Sequence, residues 1–175
     1  TQIGRMTTMM NDVLILGKIN AGSIVLVLEP INLVELCREI IDNYNQIQED
    51  QRKMIFTILG EPSTLNLDSG LISHAISNFV SNAFKYSLDR QGPEMKLVFN
   101  DDSIKLSIID HGIGIPKGDL TNLFEPFYRA SNVVEITGTG LGTSIAKEYV
   151  ELNNGTIQVK STIDEGSTFI LTFKR

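Results

Sequence analysis

The sequence is poor in cysteine and histidine, carries excess negative charge, and has no long hydrophobic run. Among its 175 residues Cys37 is the only cysteine, which excludes a disulfide framework or a cysteine-based metal site and fits a reducing cytoplasm. The formal net charge of −6 argues against nucleic acid or an anionic membrane as a principal partner. No apolar run approaches the roughly 18 residues of a membrane span, and no signal-peptide pattern opens the chain. The length suits one domain with a small appendage.

An amide-bearing segment is the first of three motifs that follow one another along the chain. Apolar residues recur at three- and four-residue steps over 71–83, which predicts a helix. Asn78 and Asn82 are four residues apart, so their side-chain oxygens lie on one face of that helix. Such uncharged oxygens can bind Mg²⁺, which is usually shared with substrate phosphates. Lys85 and Tyr86 add a cation and a flat ring. A solvated asparagine is the plain alternative, and the segment alone leaves both readings open.

An acidic residue followed by two glycines forms the second motif. Asp110 ends an alternating run over 104–109, which predicts a half-buried strand. Gly112 and Gly114 come next, and glycine lets a ligand approach the backbone closely. An ionised carboxylate at this strand end can accept a hydrogen bond from an exocyclic amine, which would select adenine over guanine. An ordinary Asp-x-Gly turn is the simpler reading of this motif when it is taken alone.

Alternating glycines at the start of a helix form the third motif. Gly138, Gly140 and Gly142 come just before a predicted helix that Asn154-Gly155 would close. The unpaired N–H groups at a helix start, together with the positive end of the helix dipole, favour phosphate binding. A flexible linker is the alternative, but linkers seldom run straight into an amphipathic helix. The pattern is neither a Walker loop nor a dinucleotide fingerprint. The three motifs together predict an ATP site.

The order and spacing of these motifs resemble the catalytic and ATP-binding domain of sensor histidine kinases. That domain belongs to the superfamily that includes gyrase and the mismatch-repair ATPase. Residues 78–86 resemble its N box, 110–114 its G1 box, 123–129 its F box and 138–142 its G2 box. The likeness extends over about residues 24–175. It implies that ATP and Mg²⁺ bind here, that residues 116–139 form a mobile lid, disordered without nucleotide, and that Phe124 and Phe127 anchor this lid to the core.

The resemblance also assigns roles to individual residues. It implies that Asn82 is a metal ligand with Asn78 as a second candidate, that Lys85 approaches the phosphates, and that Asp110 binds the adenine amine. Asn82 and Lys85 are the catalytic candidates. The implied nucleotide-binding set consists of Asn78, Asn82, Lys85, Tyr86, Asp110, Gly112, Gly114, Ile115, Phe127, Arg129, Gly138, Thr139, Gly140, Leu141, Gly142 and Thr168.

Two other functions are compatible with a similar motif set. Gyrase-type relatives carry a glutamate at the first N-box position to activate water, and this chain has Asn78 there, which weakens the reading as an ATP-hydrolysing clamp. A degenerate kinase kept as an interaction module is the other alternative. Intact Asn82, Asp110 and motif glycines speak against it.

The first 22 residues form a separate element. An apolar stripe steps by three or four residues through Ile3, Met6, Met9, Val13, Leu16 and Ile19, close to a heptad seam. The resemblance identifies residues 1–22 as the C-terminal part of the second helix of a dimerisation hairpin, and 23–175 as the ATP-binding domain. A helix folded back onto the main domain is the alternative. Ala21-Gly22 is expected to end the helix.

The acceptor histidine of such a kinase is expected on a part of the hairpin that this sequence does not contain. His74 and His111 are the two histidines, and neither has the acidic residue and proline that follow the family's phosphoacceptor. We therefore expect both to be structural and the chain to be a fragment that donates the γ-phosphate to a separate hairpin. The resemblance further implies a homodimeric full-length kinase and a response-regulator receiver domain as partner.

The predicted fold is a two-layer α/β sandwich. A mixed, mainly antiparallel sheet is covered on one face by about three helices and preceded by a separate N-terminal helix. Strands are predicted at 23–28, 53–59, 64–67, 95–99, 104–109, 156–161 and 167–173, the last four forming two hairpins. Asn32 is expected to begin a helix that runs to about Ile47, and Asp68 is the expected N-cap of the amide-bearing helix.

Overall fold

Helices and strands alternate along most of the chain in the computed structural model. The structure describes the backbone of residues 2–47, 50–133 and 136–175, and the side chains of these residues apart from 2–5 and 8. The helices are α1 (Gln2–Asn20), α2 (Leu33–Ile47), α3 (Ser69–Tyr86) and α4 (Gly142–Leu152). The strands are β1 (Glu29–Asn32), β2 (Ile55–Leu59), β3 (Thr64–Leu67), β4 (Glu94–Phe99), β5 (Ser103–Asp110), β6 (Thr156–Thr162) and β7 (Gly166–Lys174).

A five-stranded sheet in the order β2-β4-β5-β7-β6 forms one layer of the domain. Strand β2 is parallel to β4, and every other neighbouring pair is antiparallel. Strands β1 and β3 form a separate antiparallel pair. The predicted sandwich with a mixed, mainly antiparallel sheet is confirmed, as are the β4–β5 and β6–β7 hairpins.

Helix α3 forms the centre of the helical layer. Its apolar stripe is buried from Ile72 onward, and the Phe79 ring stacks on Phe169 of β7 with 4.8 Å between centroids. Strand β5 turns Ile104, Leu106 and Ile108 towards the helices. Because side chains alternate along a strand, the next inward position is Asp110. The packing that forms the core therefore also aims this carboxylate at α3.

Side-chain caps begin two of the helices where the sequence predicts them. The Asp68 carboxylate accepts a hydrogen bond from the Leu71 N–H at 3.0 Å. The Asn32 side-chain oxygen accepts one from the Val34 N–H, also at 3.0 Å. Each cap satisfies a backbone donor that the first turn of a helix leaves unpaired. On α2, Cys37 is fully buried as expected, and burial raises the pKa of its thiol to about 12.

The strand predicted at 23–28 is wrong. These residues form no regular structure, and the strand lies instead at Glu29–Asn32. Its partner β3 is four residues long and pairs Glu29 with Leu67 through Asn32 with Thr64. The strand pairing with β3 is therefore available to 29–32 alone, and Val25 is left 83% exposed in spite of its β-favouring side chain.

Helix α1 lies against the main domain. Leu16 and Ile19 of the predicted stripe pack on the core, whereas Val13 is 45% exposed; the Ile3 position falls outside the described side chains. The helix ends as expected at Ala21-Gly22, where Gly22 has a φ of +60° and the Ser23 N–H donates to the Lys18 carbonyl. Within the described ranges, no helix combines the length and apolarity needed to cross a membrane.

Candidate functional site

A cavity of about 1050 Å³ opens between α3, the end of β5, the start of α4 and the loop that precedes α4. Most residues of the predicted nucleotide-binding set lie around it, although they come from four separate stretches of sequence. Those that line it are Asn78, Asn82, Lys85, Tyr86, Asp110, Gly114, Ile115, Arg129, Gly138, Thr139, Gly140 and Gly142.

The amide pair, Asn78 and Asn82, faces the start of α4. The Asn82 Nδ2 group donates to Asn78 Oδ1 at 3.2 Å, so Asn82 Oδ1 is turned away from Asn78. Gly142 packs directly on Asn78: a Cβ at Gly142 would overlap Asn78 Nδ2 and lie 3.0 Å from its Cγ. The missing side chain of Gly142 therefore allows α3 and α4 to bring the amide pair next to a helix N-terminus.

Lys85 lies beside the glycine loop, which we define as residues 138–142. Its ammonium group is 3.3 Å from the Tyr86 hydroxyl and 4.8 Å from the centroid of the Tyr86 ring. A Cβ at Gly138 would be 3.1 Å from the same ammonium. The positive charge of Lys85 thus lies next to Gly138, at the start of the glycine loop that could bind phosphate.

Asp110 is the buried acid of the cavity, with 6% of its surface exposed. One carboxylate oxygen accepts the Gly112 N–H at 2.9 Å. Burial raises the pKa of Asp110, while the hydrogen bonds from Gly112 and Ser167 act in the opposite direction. A Cβ at Gly112 would overlap the Tyr86 carbonyl, so only glycine fits between Asp110 and the end of α3. A carboxylate fixed in this way is suited to accept a hydrogen bond from an amine.

The glycine loop leads into α4 without a side-chain cap from any described residue. Gly140 has a φ of +76°, and a Cβ there would approach the Phe127 carbonyl carbon to 2.7 Å. The Leu141 N–H donates to Thr139 Oγ1 at 3.3 Å. Because Gly142 and Thr143 line the cavity, the first N–H groups of the 11-residue helix α4 lie at its edge, where a helix start can bind an anion.

The lid, residues 116–139, is held by polar contacts within itself, with positions 134 and 135 outside the described residues. Asp119 accepts hydrogen bonds from the Tyr128 hydroxyl at 2.8 Å and from the Ser131 N–H at 2.7 Å, and these bonds lower its pKa. The Arg129 guanidinium donates to the carbonyls of Val133 and Ile136. Disorder of the lid in the absence of nucleotide stays a prediction.

The prediction that Phe127 anchors the lid is wrong, because this residue is 54% exposed. Leu123 is buried and Phe124 packs on the core, so these two residues anchor the lid. Phe127 and Leu141 of the predicted binding set do not line the cavity, and Leu141 is fully buried. Gly112 lies behind Asp110 and acts on the site through the hydrogen bond to that carboxylate.

Thr168 does not lie in the cavity, and Ser167 and Phe169 take its place. Because alternate side chains of a strand point to opposite faces, Thr168 faces away from the helices. The pattern of Phe169, Leu171 and Phe173 in the sequence already indicates which face of β7 is inward. Ser167 shares a 2.9 Å hydrogen bond with Ser161 and also contacts Asp110.

Sequence reasoning missed the contribution of α1 to the site. Met6, Met9 and Asp12 line the cavity, and the Thr139 hydroxyl donates to Asp12 at 3.3 Å. Burial raises the pKa of Asp12. The apolar stripe of α1 indicates that this helix packs on another surface, but it does not indicate which surface. No local sequence signal therefore identifies the contact between Asp12 and Thr139.

The two histidines have structural partners. His74 borders the cavity, and its ring packs edge-on against Tyr149 with 5.4 Å between centroids. His111 lies outside the cavity, where its Nε2 atom is 2.9 Å from Glu94 Oε1. That neither histidine accepts phosphate stays a prediction.

Comparisons with known proteins agree with this geometry. Residues 67–175 match the family described as histidine kinase-, DNA gyrase B- and HSP90-like ATPases. The sensor histidine kinase WalK of Bacillus subtilis (strain 168) is 31% identical over 172 residues, which is 96% of this chain and 28% of that protein. The signal transduction histidine-protein kinase ArlS of Staphylococcus haemolyticus (strain JCSC1435) is 30% identical over 175 residues, 99% of this chain and 38% of that protein.

A solved structure shares the fold. Full-length ShkA, crystallised in complex with AMPPNP, matches with a TM-score of 0.84 at 23% identity, over 96% of this chain and 35% of that chain. The chain therefore spans well under half the length of each of these relatives.

Proposed function

The chain belongs to the histidine kinase-, DNA gyrase B- and HSP90-like ATPase family, and on that premise we propose that it is the catalytic domain of a two-component sensor kinase, which binds Mg-ATP and donates the γ-phosphate to a histidine. One observation carries this proposal: the amide pair, Lys85, Asp110 and the N-terminus of α4 surround one cavity. Phosphoryl transfer asks a protein mainly to position the donor and to neutralise developing charge, and this set of groups does both.

The metal would be held at the amide pair. Asn82 Oδ1 is turned away from Asn78 and is the proposed direct ligand, with Asn78 beside it. Neutral amide oxygens suit Mg²⁺, which keeps part of its water shell and takes its remaining ligands from phosphates. The described residues contain no group of three acidic, histidine or cysteine side chains that could hold a metal by themselves. Mg²⁺ would supply charge neutralisation across the phosphates.

The adenine would lie at the other end of the cavity. Asp110 would accept a hydrogen bond from the exocyclic amine, which guanine lacks at that position. Tyr86 and Ile115 would flank the base, and Gly114, with a φ of +67°, lets the backbone approach it.

The phosphates would extend towards the glycine loop. Lys85 and the first N–H groups of α4, which lie at the cavity, would bind them. Arg129 is a further candidate, but its guanidinium now binds the carbonyls of Val133 and Ile136. It could reach a phosphate only after these lid contacts break.

The acceptor and partners would come from elsewhere in a kinase. We propose that residues 1–22 are the C-terminal part of the second dimerisation-hairpin helix and that 23–175 are the ATP-binding domain. The hairpin would supply the acceptor histidine, a receiver domain of a response regulator would take the phosphate next, and the full-length kinase would be a cytoplasmically acting homodimer.

Calorimetric titration with ATP, with and without Mg²⁺, tests the binding step. Asn82→Ala is expected to weaken Mg-ATP binding about tenfold or more, the loss expected for one charge-assisted ligand. Asn43→Ala, at an exposed position on α2, is the matched control and should bind as the wild type. Wild-type protein that binds no nucleotide would support the interaction-module alternative.

Adding a separate protein that carries the complete hairpin, together with γ-labelled ATP, tests the transfer step. Label is expected on a hairpin histidine and to be absent when that histidine is replaced. Rapid release of free phosphate without labelled hairpin would support the ATP-hydrolysing alternative instead.

A further inference from the structure

Arg90 connects three segments of the domain that are far apart in sequence. Its Nη1 group donates to the Gly112 carbonyl at 3.0 Å and to the Asp164 carbonyl at 2.8 Å. Its Nη2 group is 3.3 Å from the Asp164 carboxylate. Its own backbone N–H donates to the Ser87 carbonyl just after α3. The guanidinium therefore links the loop after Asp110 to the β6–β7 turn, while the Arg90 backbone is tied to the end of α3.

The peptide group between Gly112 and Ile113 is held from both sides by these contacts. Its carbonyl accepts from Arg90, and its N–H donates to the Tyr86 carbonyl at 3.2 Å. The next carbonyl, that of Ile113, accepts the Asp164 N–H at 2.9 Å. Gly112 has the widest backbone freedom of any residue type, so this peptide would rotate readily without such contacts.

Fixing this peptide also fixes Asp110. The Gly112 N–H is the hydrogen-bond donor to Asp110 Oδ1 at 2.9 Å, and its nitrogen is joined through the Gly112 Cα to the carbonyl that Arg90 restrains. Gly112 is buried, so its carbonyl has little water available when Arg90 is removed. Arg90, which does not line the cavity, is thus connected to the Asp110 carboxylate through the Gly112 backbone, beside the direct hydrogen bond from Ser167.

We propose that Arg90 is a positioning residue for base recognition: by holding the Gly112–Ile113 peptide it aims the Asp110 carboxylate at the 6-amino group of adenine. This inference rests on the proposed function, because it needs Asp110 to contact the base. Asp164 serves mainly as a backbone partner, since its side chain is 77% exposed and its ion pair with Arg90 is screened by solvent.

The test compares ATP with purine riboside 5′-triphosphate, which lacks the 6-amino group, as ligands of wild-type protein and Arg90→Ala. Wild-type protein is expected to prefer ATP about tenfold, as a hydrogen bond to a charged group allows. Arg90→Ala is expected to reduce this preference to about twofold or less, by weakening ATP binding and leaving the analogue nearly unaffected. Calorimetry in the same buffer and Mg²⁺ concentration measures both.

The comparison separates a change in the orientation of the Asp110 carboxylate from a general destabilisation of the domain. A general destabilisation would weaken the binding of both nucleotides by the same factor. Arg38→Ala, at an exposed arginine of α2, and Asp164→Asn, which keeps the backbone acceptor, should retain the wild-type preference. Arg90→Lys keeps the positive charge but lacks the planar guanidinium, and it should show an intermediate preference for ATP. This variant replaces Arg90→Ala in the test if the alanine variant does not fold.

The outcomes distinguish this inference from the function beneath it. An undiminished ATP preference in Arg90→Ala and Arg90→Lys overturns the role of Arg90 alone. Wild-type protein that binds both nucleotides equally overturns the Asp110 contact and the inference with it, while leaving nucleotide binding intact. Wild-type protein that binds neither nucleotide overturns the proposed function itself.

Discussion

Replacing Gly142 with alanine is expected to weaken Mg-ATP binding while leaving the stability of the fold nearly unchanged. The new Cβ would overlap Asn78 Nδ2 and come within 3.2 Å of Asn78 Oδ1. Asn78 would have to rotate, and its Oδ1 atom would move away from Asn82 Nδ2, which now donates to it at 3.2 Å. Both proposed metal ligands would be displaced by a change on a different helix.

The magnitudes follow from two opposing effects on folding. Loss of the Asn82–Asn78 hydrogen bond costs about 1 kcal/mol. Alanine in place of glycine stabilises by about 0.4–1 kcal/mol through the unfolded chain, since Gly142 has no left-handed φ. The free energy of unfolding should therefore change by less than about 1 kcal/mol, whereas misplaced metal ligands should weaken Mg-ATP binding about tenfold.

Calorimetry with Mg-ATP and thermal unfolding, run on the same preparations, measure the two effects. Gly118→Ala is the matched control, because a Cβ there meets nothing within 4 Å. The reasoning also requires that Gly142→Ala have no further effect in an Asn78→Ala background, where the overlap is gone. Unchanged affinity in the single variant, or an equal loss in both backgrounds, would refute it.

Three further predictions concern the buried groups. Burial raises the pKa of Asp110, so ATP affinity should be full at neutral pH and should begin to fall on acidification at a higher pH than that at which an ordinary aspartate titrates. Calorimetry from about pH 7 to 4 would show this fall. The Asp110→Asn variant should bind ATP weakly and without this pH dependence. Because the Cys37 thiol is fully buried and its pKa is raised to about 12, it should react with a thiol reagent at pH 8 only when denaturant unfolds the chain. Fast reaction in native buffer would contradict this burial. Phe79→Ala should lower the free energy of unfolding, measured by urea titration, by about 3–5 kcal/mol, because the ring is fully buried against Phe169. A loss below about 1 kcal/mol would show that the core around Phe79 is loosely packed.

Much of the site could be predicted because several of its functional residues lie a few positions apart within single helices, strands or loops. Asn78 and Asn82 share a face whenever their segment is helical, and Asp110 must follow the inward positions of β5 whenever that strand alternates. Strand parity also carries information about the site: the inward pattern of Phe169 and Leu171 indicates Ser167, rather than Thr168, as the residue of β7 that faces the cavity.

The sequence by itself determined the elements whose causes are local: helices from their apolar steps and caps, hairpins from alternation and turns, and the order of the nucleotide motifs. The tertiary structure alone decided which strand pairs with residues 29–32, where α1 places Asp12, and that Arg90 holds Gly112 and Asp164 together across 22 and 74 positions. The physical reason is the range of the forces. Periodicity and capping act within a few residues, whereas a strand's partner, a helix's docking face and an arginine's acceptors depend on which distant surfaces the packed core brings within reach.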